Sequence, residues 1–142
     1  MTRVHLNVPE TFLFETELAI QVSDLNYGNH LANDKVLSLA HEARIRFLHH
    51  LGYTEMNVEG AGLIMADAAI QFISQGFHGD ELILKIAVTD ISRAGFALFT
   101  LIQHKHTQKE LARVKTGLVF FDYTTQSVQK TPAGFIAQIS RT

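Results

Sequence analysis

The sequence predicts an α+β fold in which an antiparallel sheet of about five strands wraps around one long central helix. Five segments place apolar residues at the two-residue spacing of a strand, and one segment places them at helical spacing. The helix follows the first strand, and the other four strands follow the helix without a further helix between them. This order excludes a doubly wound parallel sheet, which needs a helix between successive strands.

The first strand is predicted from Phe12 to Val22, because its apolar residues occupy every second position and polar residues take the other face. A short polar stretch from Asp24 to Asn33 follows, with Gly28 near its middle. This composition predicts a loop between the strand and the helix.

The long helix is predicted from about Asp34 to Leu51. Asn33 or Asp34 is the predicted N-cap, and Gly52 stands where a left-handed residue commonly ends a helix. Apolar residues extend over more than one side of the helix, so we expect it to be covered on more than one side. The main apolar stripe consists of Val36, Ala40, Ala43, Phe47 and Leu51.

The remaining strands are predicted to form a four-strand meander. The short polar segment HTQKE between the last two strands indicates a hairpin. With 142 residues the chain has the length of a single domain, residues 1–142, with a core of its own. The four predicted strands are Leu63–Ile73, Glu81–Ile91, Phe96–His106 and Leu111–Tyr123.

Composition narrows the class of protein. The net charge is −2 and the basic residues form no dense run, so neither nucleic acid nor an anionic membrane is expected as a partner. The absence of cysteine excludes disulfides, thiolate nucleophiles and cysteine-based zinc sites. Neither a signal peptide nor an apolar run of about 18 residues is recognisable, so we expect a cytoplasmic location.

The predicted loop carries the residues best suited to chemistry. Asp24 and Asn26 continue the buried phase of the first strand, so both are predicted to face the apolar side beside the start of the helix. Unpaired amides at a helix start can hold a carbonyl oxygen as it gains negative charge. Gly28 permits close approach to the backbone, and His30 can transfer a proton near neutral pH. The alternative is structural: Asp24 and Asn33 cap the turn and the helix, and His30 packs over them.

The stretch DLNYGNHLAN and the following HEARIRFLHHLG resemble the loop and central helix of the hydroxybenzoyl-CoA thioesterase-like branch of the hotdog-fold thioesterases. In that branch the loop follows the pattern D-x-D-x-x-G-H-V-N-N, and the helix carries a Glu-x-Arg pair. The likeness continues along nearly the whole chain. Further segments that resemble the family are Ile70–Phe72, the F-H-G-D run ending at Asp80, Ser92–Phe96 and Leu118–Asp122.

The resemblance implies a hotdog fold, obligate dimers that often pair into tetramers, and active sites at subunit interfaces. It implies thioesters of coenzyme A, or sometimes of acyl carrier protein, as substrates, and no metal or cofactor. By position, Asn33 and the neighbouring helix-start amides would polarise the thioester carbonyl, and His30 matches the histidine of the family pattern. Arg93 matches a basic position that in some members contacts the phosphates of coenzyme A.

One position departs from the family pattern. The second acid of D-x-D is Asn26 here, and an amide is neither a nucleophile nor a base at neutral pH. Three explanations remain open. Asp24 takes over, directly or through His30; Asp67 serves, from the same chain or from the partner subunit; or the protein binds acyl thioesters and hydrolyses them poorly. Asp67 also has a structural interpretation, as part of a solvent-facing strand surface.

Other polar residues are interpreted as structural. Glu42 and Arg46 stand four apart on the helix, where an ion pair is expected. His104 and His106 share a strand face but lack a third ligand nearby in sequence, so no metal site is predicted. Ser38 and His41 stand three apart on the helix, with no nucleophile-elbow pattern around them.

The sequence therefore predicts an acyl-CoA thioesterase in which water attacks a thioester carbonyl held by the helix-start amides and Asn33. Coenzyme A enters as part of the substrate. The alternatives are a non-hydrolytic acyl-thioester-binding protein, an acyl-carrier-protein thioesterase and, less favoured by the loop, a dehydratase that uses a histidine and a carboxylate.

Overall fold

A computed structural model describes residues 2–142 of the chain. It contains two α-helices and one six-stranded sheet, and the predicted α+β hotdog fold is confirmed. Within the described residues, neither helix is long and apolar enough to cross a membrane. The strands are β1 (Phe14–Ala19), β2 (Gly62–Phe72), β3 (Glu81–Ser92), β4 (Gly95–His104), β5 (Glu110–Asp122) and β6 (Ser127–Val128), and the helices are α1 (Asn33–His50) and α2 (Ala133–Ser140).

The long strands lie in the order β1-β3-β4-β5-β2, all antiparallel, with the short β6 beside β5. The predicted four-strand meander is therefore wrong in one respect, because β2 pairs with β5 and not with β3. Only β3, β4 and β5 form a meander. The segment 73–80 is too long for a tight hairpin, and the amides of Ile73 and Ser74 donate to the carbonyl of Leu111, which keeps this segment beside β5.

The core lies between α1 and one face of the sheet. Phe47 and Ala43 are fully buried, and they pack with the even-numbered apolar residues of β3, β4 and β5. Leu39, which lies off the predicted apolar stripe, is buried as well, whereas Ile45 is 45% exposed. The helix is therefore covered on more than one side, as predicted, but not all round. Gly52 has φ of 87° just after the helix, in the role predicted for it.

The opposite face of the sheet is partly covered by the segment that precedes β1. Leu6, Val8 and Phe12 from this segment pack against a second, smaller apolar cluster. That cluster consists of Ala87, Phe99 and Leu101, the odd-numbered residues of β3 and β4. We call this side of the sheet the outer face.

The first strand ends earlier than predicted. β1 stops at Ala19, and Val22, predicted to lie on the buried face, is 74% exposed. A one-turn 3₁₀ helix at Val22–Asp24 breaks the two-residue alternation, so the buried phase does not continue past Ile20. The prediction that Asp24 and Asn26 continue this phase fails for the same reason.

The sequence analysis did not predict β6 and α2. The helix α2 places Phe135 in the core, with ring centroids 4.7 Å from Phe96 and 5.4 Å from Phe120. These two elements close one end of the core and lie away from the predicted loop.

Candidate functional site

The loop between β1 and α1 is organised by the side chain of Asn26. Its Oδ1 accepts a hydrogen bond from the Gly28 amide at 2.8 Å and a longer one from the His30 amide at 3.4 Å. Its Nδ2 lies 3.4 Å from Nδ1 of His30. Asn29, between these residues, has φ of 65°, which asparagine tolerates better than most residues. Asn26 therefore holds the turn of the loop and orients His30.

Asp24 has a structural role in the same region. Its Oδ2 accepts a hydrogen bond from the Gln21 amide at 2.8 Å, and its backbone carbonyl accepts one from the Ala32 amide at 2.9 Å. These bonds fasten the 3₁₀ turn to the start of α1. They agree with the interpretation that Asp24 caps a turn, while its role as a base stays a prediction.

The helix start lacks a side-chain cap. The N-cap residue is Ala32, with extended φ and ψ of −73° and 143°, and no side chain in residues 2–142 bonds the first amides of α1. The predicted N-cap, Asn33 or Asp34, is thus wrong, because Asn33 is already the first helical residue and its side chain stands past the cap position. The uncapped amides keep their hydrogen-bonding capacity and lie at the positive end of the helix dipole.

A pocket of about 210 Å³ opens beside this helix start. His30 and Asn33 provide polar groups in its wall, and the remaining wall is mostly apolar. Asp24 and Asn26 do not line the pocket, although they support the loop that does. The other lining residues are Leu31, Val36, Phe72, Ile73, Ser74, Gln75, Gly76 and Leu111.

The far wall of the pocket is the segment after β2, and Gly76 fixes its position. The Gly76 carbonyl accepts a hydrogen bond from the Leu31 amide at 2.8 Å. A Cβ at this position would lie 2.5 Å from Cδ1 of Ile20 and 2.8 Å from Cδ2 of Leu111. A larger residue would require the ends of these two buried side chains to shift, so glycine suits the close packing between the pocket wall and the core.

Two predicted site residues lie elsewhere. Asp67 is on the outer face of the sheet, where its Oδ1 accepts a hydrogen bond from the Gly117 amide at 3.0 Å. It lines a separate pocket of about 640 Å³ that also includes Ser92 and Lys115. Arg93 is exposed in the turn between β3 and β4, next to that outer pocket. One chain therefore brings together Asp24, Asn26, His30 and Asn33 but not Asp67 or Arg93, whose roles stay predictions.

The structure also contains a charged cluster that the sequence analysis did not assemble. Glu55, in the segment after α1, accepts hydrogen bonds from Nε2 of His41 at 2.8 Å and from Nε of Arg44 at 2.7 Å. Burial acts to raise the pKa of Glu55, but the hydrogen bond from His41 and the charge and hydrogen bond of Arg44 lower the pKa overall. Glu55 is therefore held as a carboxylate.

Sequence spacing indicates only part of this cluster. His41 and Arg44 are three apart on one helix, which places them on the same side. Glu55 lies 14 residues beyond His41 and beyond the end of the helix, so no periodicity links the two. Only the path of the chain after Gly52 brings the carboxylate back to the helix.

Glu42, His104 and His106, which were interpreted as structural, each lie beside a potential ion-pair partner. Arg46 Nε donates to Glu42 Oε2 at 2.9 Å, so the predicted ion pair is confirmed. Nε2 of His106 lies 2.6 Å from Oε2 of Glu81, and Nδ1 of His104 lies 3.9 Å from Oδ2 of Asp80. Within the part of the chain that the structure describes, no group of three or more histidine, cysteine or acidic side chains is placed to hold a metal ion.

Comparisons with known proteins agree with this architecture. The profile of the family described as the thioesterase-like superfamily matches residues 20–139. A search among curated proteins gives no match.

Several solved structures share the fold at low sequence identity. The 1,4-dihydroxy-2-naphthoyl-CoA thioesterase Slr0204 from Synechocystis is 21% identical, with a TM-score of 0.81 over 89% of this chain and 95% of that one. The gentisyl-coenzyme A thioesterase BH1999 is 14% identical, with a TM-score of 0.78 over 89% and 99% of the two chains. SAV2348 from Staphylococcus aureus, solved in complex with CoA, is 13% identical, with a TM-score of 0.80 over 96% and 87%.

Proposed function

The chain belongs to the thioesterase-like superfamily, and we propose that it hydrolyses an acyl thioester of coenzyme A to the free acid and coenzyme A. One observation carries the proposal: the uncapped start of α1 adjoins an apolar pocket. A thioester needs both features, because its acyl group is apolar and its carbonyl oxygen becomes an anion during hydrolysis.

The reaction follows from this geometry. The acyl group enters the pocket beside Val36 and Leu111, and the carbonyl oxygen accepts a hydrogen bond from the Asn33 amide. Water adds to the carbonyl carbon, and the helix-start amide stabilises the oxyanion of the tetrahedral intermediate. The intermediate then expels the thiolate, the carbon–sulfur bond breaks, and the acid is released. His30, in the wall of the pocket, is placed to hydrogen bond with the substrate or the water.

We further propose that the functional unit is a dimer built on β2. This 11-residue strand is bonded to β5 along one side, and the other side is an edge of the sheet. Its exposed apolar residues include Met65 at 41% and Phe72 at 50% exposure. A long apolar edge strand is a template for pairing with another chain, and a second copy offers a self-complementary partner.

Arg93 is proposed to contact the phosphates of coenzyme A. Because Arg93 does not lie beside this pocket within one chain, that role requires a second subunit to bring it there. The similar solved structures support coenzyme A as the carrier, since two are thioesterases of aromatic acyl-CoA substrates and one was solved with CoA. Acyl carrier protein is the alternative carrier. Hydrolysis rates measured for one acyl group on each of the two carriers distinguish the alternatives.

The proposal is tested by measuring free thiol release from a panel of aromatic, medium-chain and long-chain acyl-CoAs. We expect at least one acyl-CoA to be turned over well above the rate without protein. Turnover of none would contradict hydrolysis. In that case calorimetry decides whether the protein binds acyl-CoA without cleaving it, the second candidate function that Asn26 favours.

A further inference from the structure

The strongest unexplained feature is the cluster of His41, Glu55 and Arg44. Arg44 is 9% exposed, which is unusual for a charged residue, and its Nε is fixed by Glu55 at 2.7 Å. Glu55 in turn fixes Nε2 of His41 at 2.8 Å. A buried guanidinium thus holds a carboxylate, and the carboxylate holds an imidazole.

This cluster lies beside a pocket between α1 and β2. The pocket has a volume of about 200 Å³ and is lined by Asp34, Leu37, Ser38, His41, Arg44 and Met65. Met65 comes from β2, the strand proposed to pair with a second chain, and the other lining residues come from α1. The imidazole of His41 therefore stands at the edge of the sheet where a partner subunit would be seated.

The hydrogen bond to Glu55 determines which nitrogen of His41 can react. When Nε2–H donates to the carboxylate, Nδ1 carries the lone pair that accepts a proton. The structure records no hydrogen bond to Nδ1 of His41 within residues 2–142. A carboxylate in this position also stabilises the imidazolium that forms after proton transfer. Asp34 lines the same pocket, so the charged groups around His41 are Asp34, Arg44 and Glu55.

Within one chain, His41 is too far from the helix start to act there. Eight residues separate Asn33 from His41, which corresponds to about 12 Å along the helix axis. A base and an oxyanion donor that act on one carbonyl must each lie about 3 Å from the reacting atoms. An antiparallel pair of α1 helices with a two-fold axis near Leu37 would place His41 of the partner subunit beside Asn33.

We propose that His41, positioned by Glu55 and Arg44, is the general base that Asn26 cannot be, and that it acts on the thioester bound at Asn33 of the partner subunit. The inference rests on the proposed thioesterase function. Nδ1 of His41 takes a proton from water as the water oxygen bonds to the carbonyl carbon. When the carbon–sulfur bond breaks, the imidazolium returns that proton to the departing thiolate, which gives free coenzyme A.

The first test compares His41→Gln with two matched histidine variants. His106→Gln removes a histidine that is also bonded to a glutamate but lies on the β4–β5 turn, and His49→Gln removes an exposed histidine in the last turn of α1. We expect His41→Gln alone to lower kcat by about 10²- to 10⁴-fold with KM unchanged, the usual worth of general-base catalysis. Unchanged kcat in His41→Gln, with the wild-type protein active, would overturn the proposal.

The variant Glu55→Gln distinguishes a role of Glu55 in positioning His41 from a purely structural role. The amide oxygen of glutamine can still accept from Nε2, but it carries no charge to stabilise the imidazolium. Without that charge the imidazolium formed by proton transfer is less stable, so we expect Glu55→Gln to lower kcat with KM unchanged. A rise in KM that accompanies the fall in kcat, or a loss of the circular dichroism signal, would assign Glu55 a structural role only.

The composite site is tested by mixing two inactive chains. Asn33→Pro deletes the helix-start amide at a position that tolerates proline, and His41→Gln removes the base. Co-expression should restore about a quarter of the wild-type activity, because half of randomly paired dimers are mixed and each mixed dimer has one complete site. No recovery in verified mixed dimers would overturn the role of the partner. Wild-type inactivity on the acyl-CoA panel, by contrast, would refute the proposed function itself.

Discussion

At the scale of single residues, Asn26 keeps the structural role of the acid that the family pattern has at this position, but it cannot act as a base. The family resemblance locates the loop correctly, and the structure gives the amide of Asn26 a task that an aspartate could also perform, accepting the Gly28 amide. A carboxylate at this position could therefore hold the turn and also act as a base. The amide of Asn26 holds the turn but cannot act as a base.

Asp24 was the first candidate to supply the missing base, and its hydrogen bond provides a clean test. We expect Asp24→Asn to leave kcat unchanged, because its amide oxygen can still accept the Gln21 amide and the loop keeps its shape. Steady-state kinetics on the best acyl-CoA substrate measure this. A loss of kcat of about 10²-fold or more, at unchanged stability, would identify Asp24 as the base and contradict the role of His41.

At the scale of secondary-structure elements, the sequence was most informative where alternate residues of a strand enter the core. Alternation in β3 and β4 predicted their positions to within a few residues, because their even-numbered apolar residues pack in the core with α1, whereas Ala87, Phe99 and Leu101 pack on the outer face. It failed after Ile20, where a 3₁₀ turn replaces the strand, and at α2, a helix of eight residues that is too short for a clear period. Local hydrogen bonds and core contacts determine the conformation of those segments.

The partner of β2 could not be read from its pattern. The strand has exposed apolar residues on both faces and a register shift between Met65 and Asp67, so its alternation is weak. Its position at the edge of the sheet is nonetheless the basis for the proposed dimer. The exposed apolar residues that weaken its alternation are also those on which the proposed interface depends.

Charge placed on this edge should separate the subunits. We expect a variant with both Ile64→Lys and Ala68→Lys to sediment as a monomer, because paired β2 strands would bring like charges together. Ile136→Lys on α2 is the control, since Ile136 is 40% exposed and Ile64 is 36% exposed. Sedimentation velocity measures the outcome. A wild-type protein that sediments as a monomer across the micromolar range would contradict the interface.

At the scale of the whole molecule, the sequence predicts an antiparallel sheet around one helix, and the fold has that form. Residues close together in sequence, from Asp24 to Asn33, lie together in the loop before α1, and their function as a site stays a prediction. The separate positions of Asp67 and of the pair His41 and Glu55 depend on strand order and on the chain path after α1, which local spacing does not determine.

Two variants at Asn33 test whether the amide at the start of α1 holds the thioester carbonyl. Asn33→Pro removes the amide, and its proline suits both the first helical position and the extended Ala32 before it. Asn33→Ala removes only the side chain. Thiol release from the best acyl-CoA is measured for both, with circular dichroism as a check of folding.

We expect Asn33→Pro to lose about 10²- to 10³-fold in kcat, the usual effect of losing one oxyanion donor, while Asn33→Ala keeps most of its activity. If folded Asn33→Pro hydrolyses the thioester as fast as Asn33→Ala, this amide does not hold the carbonyl and the proposed mechanism is wrong.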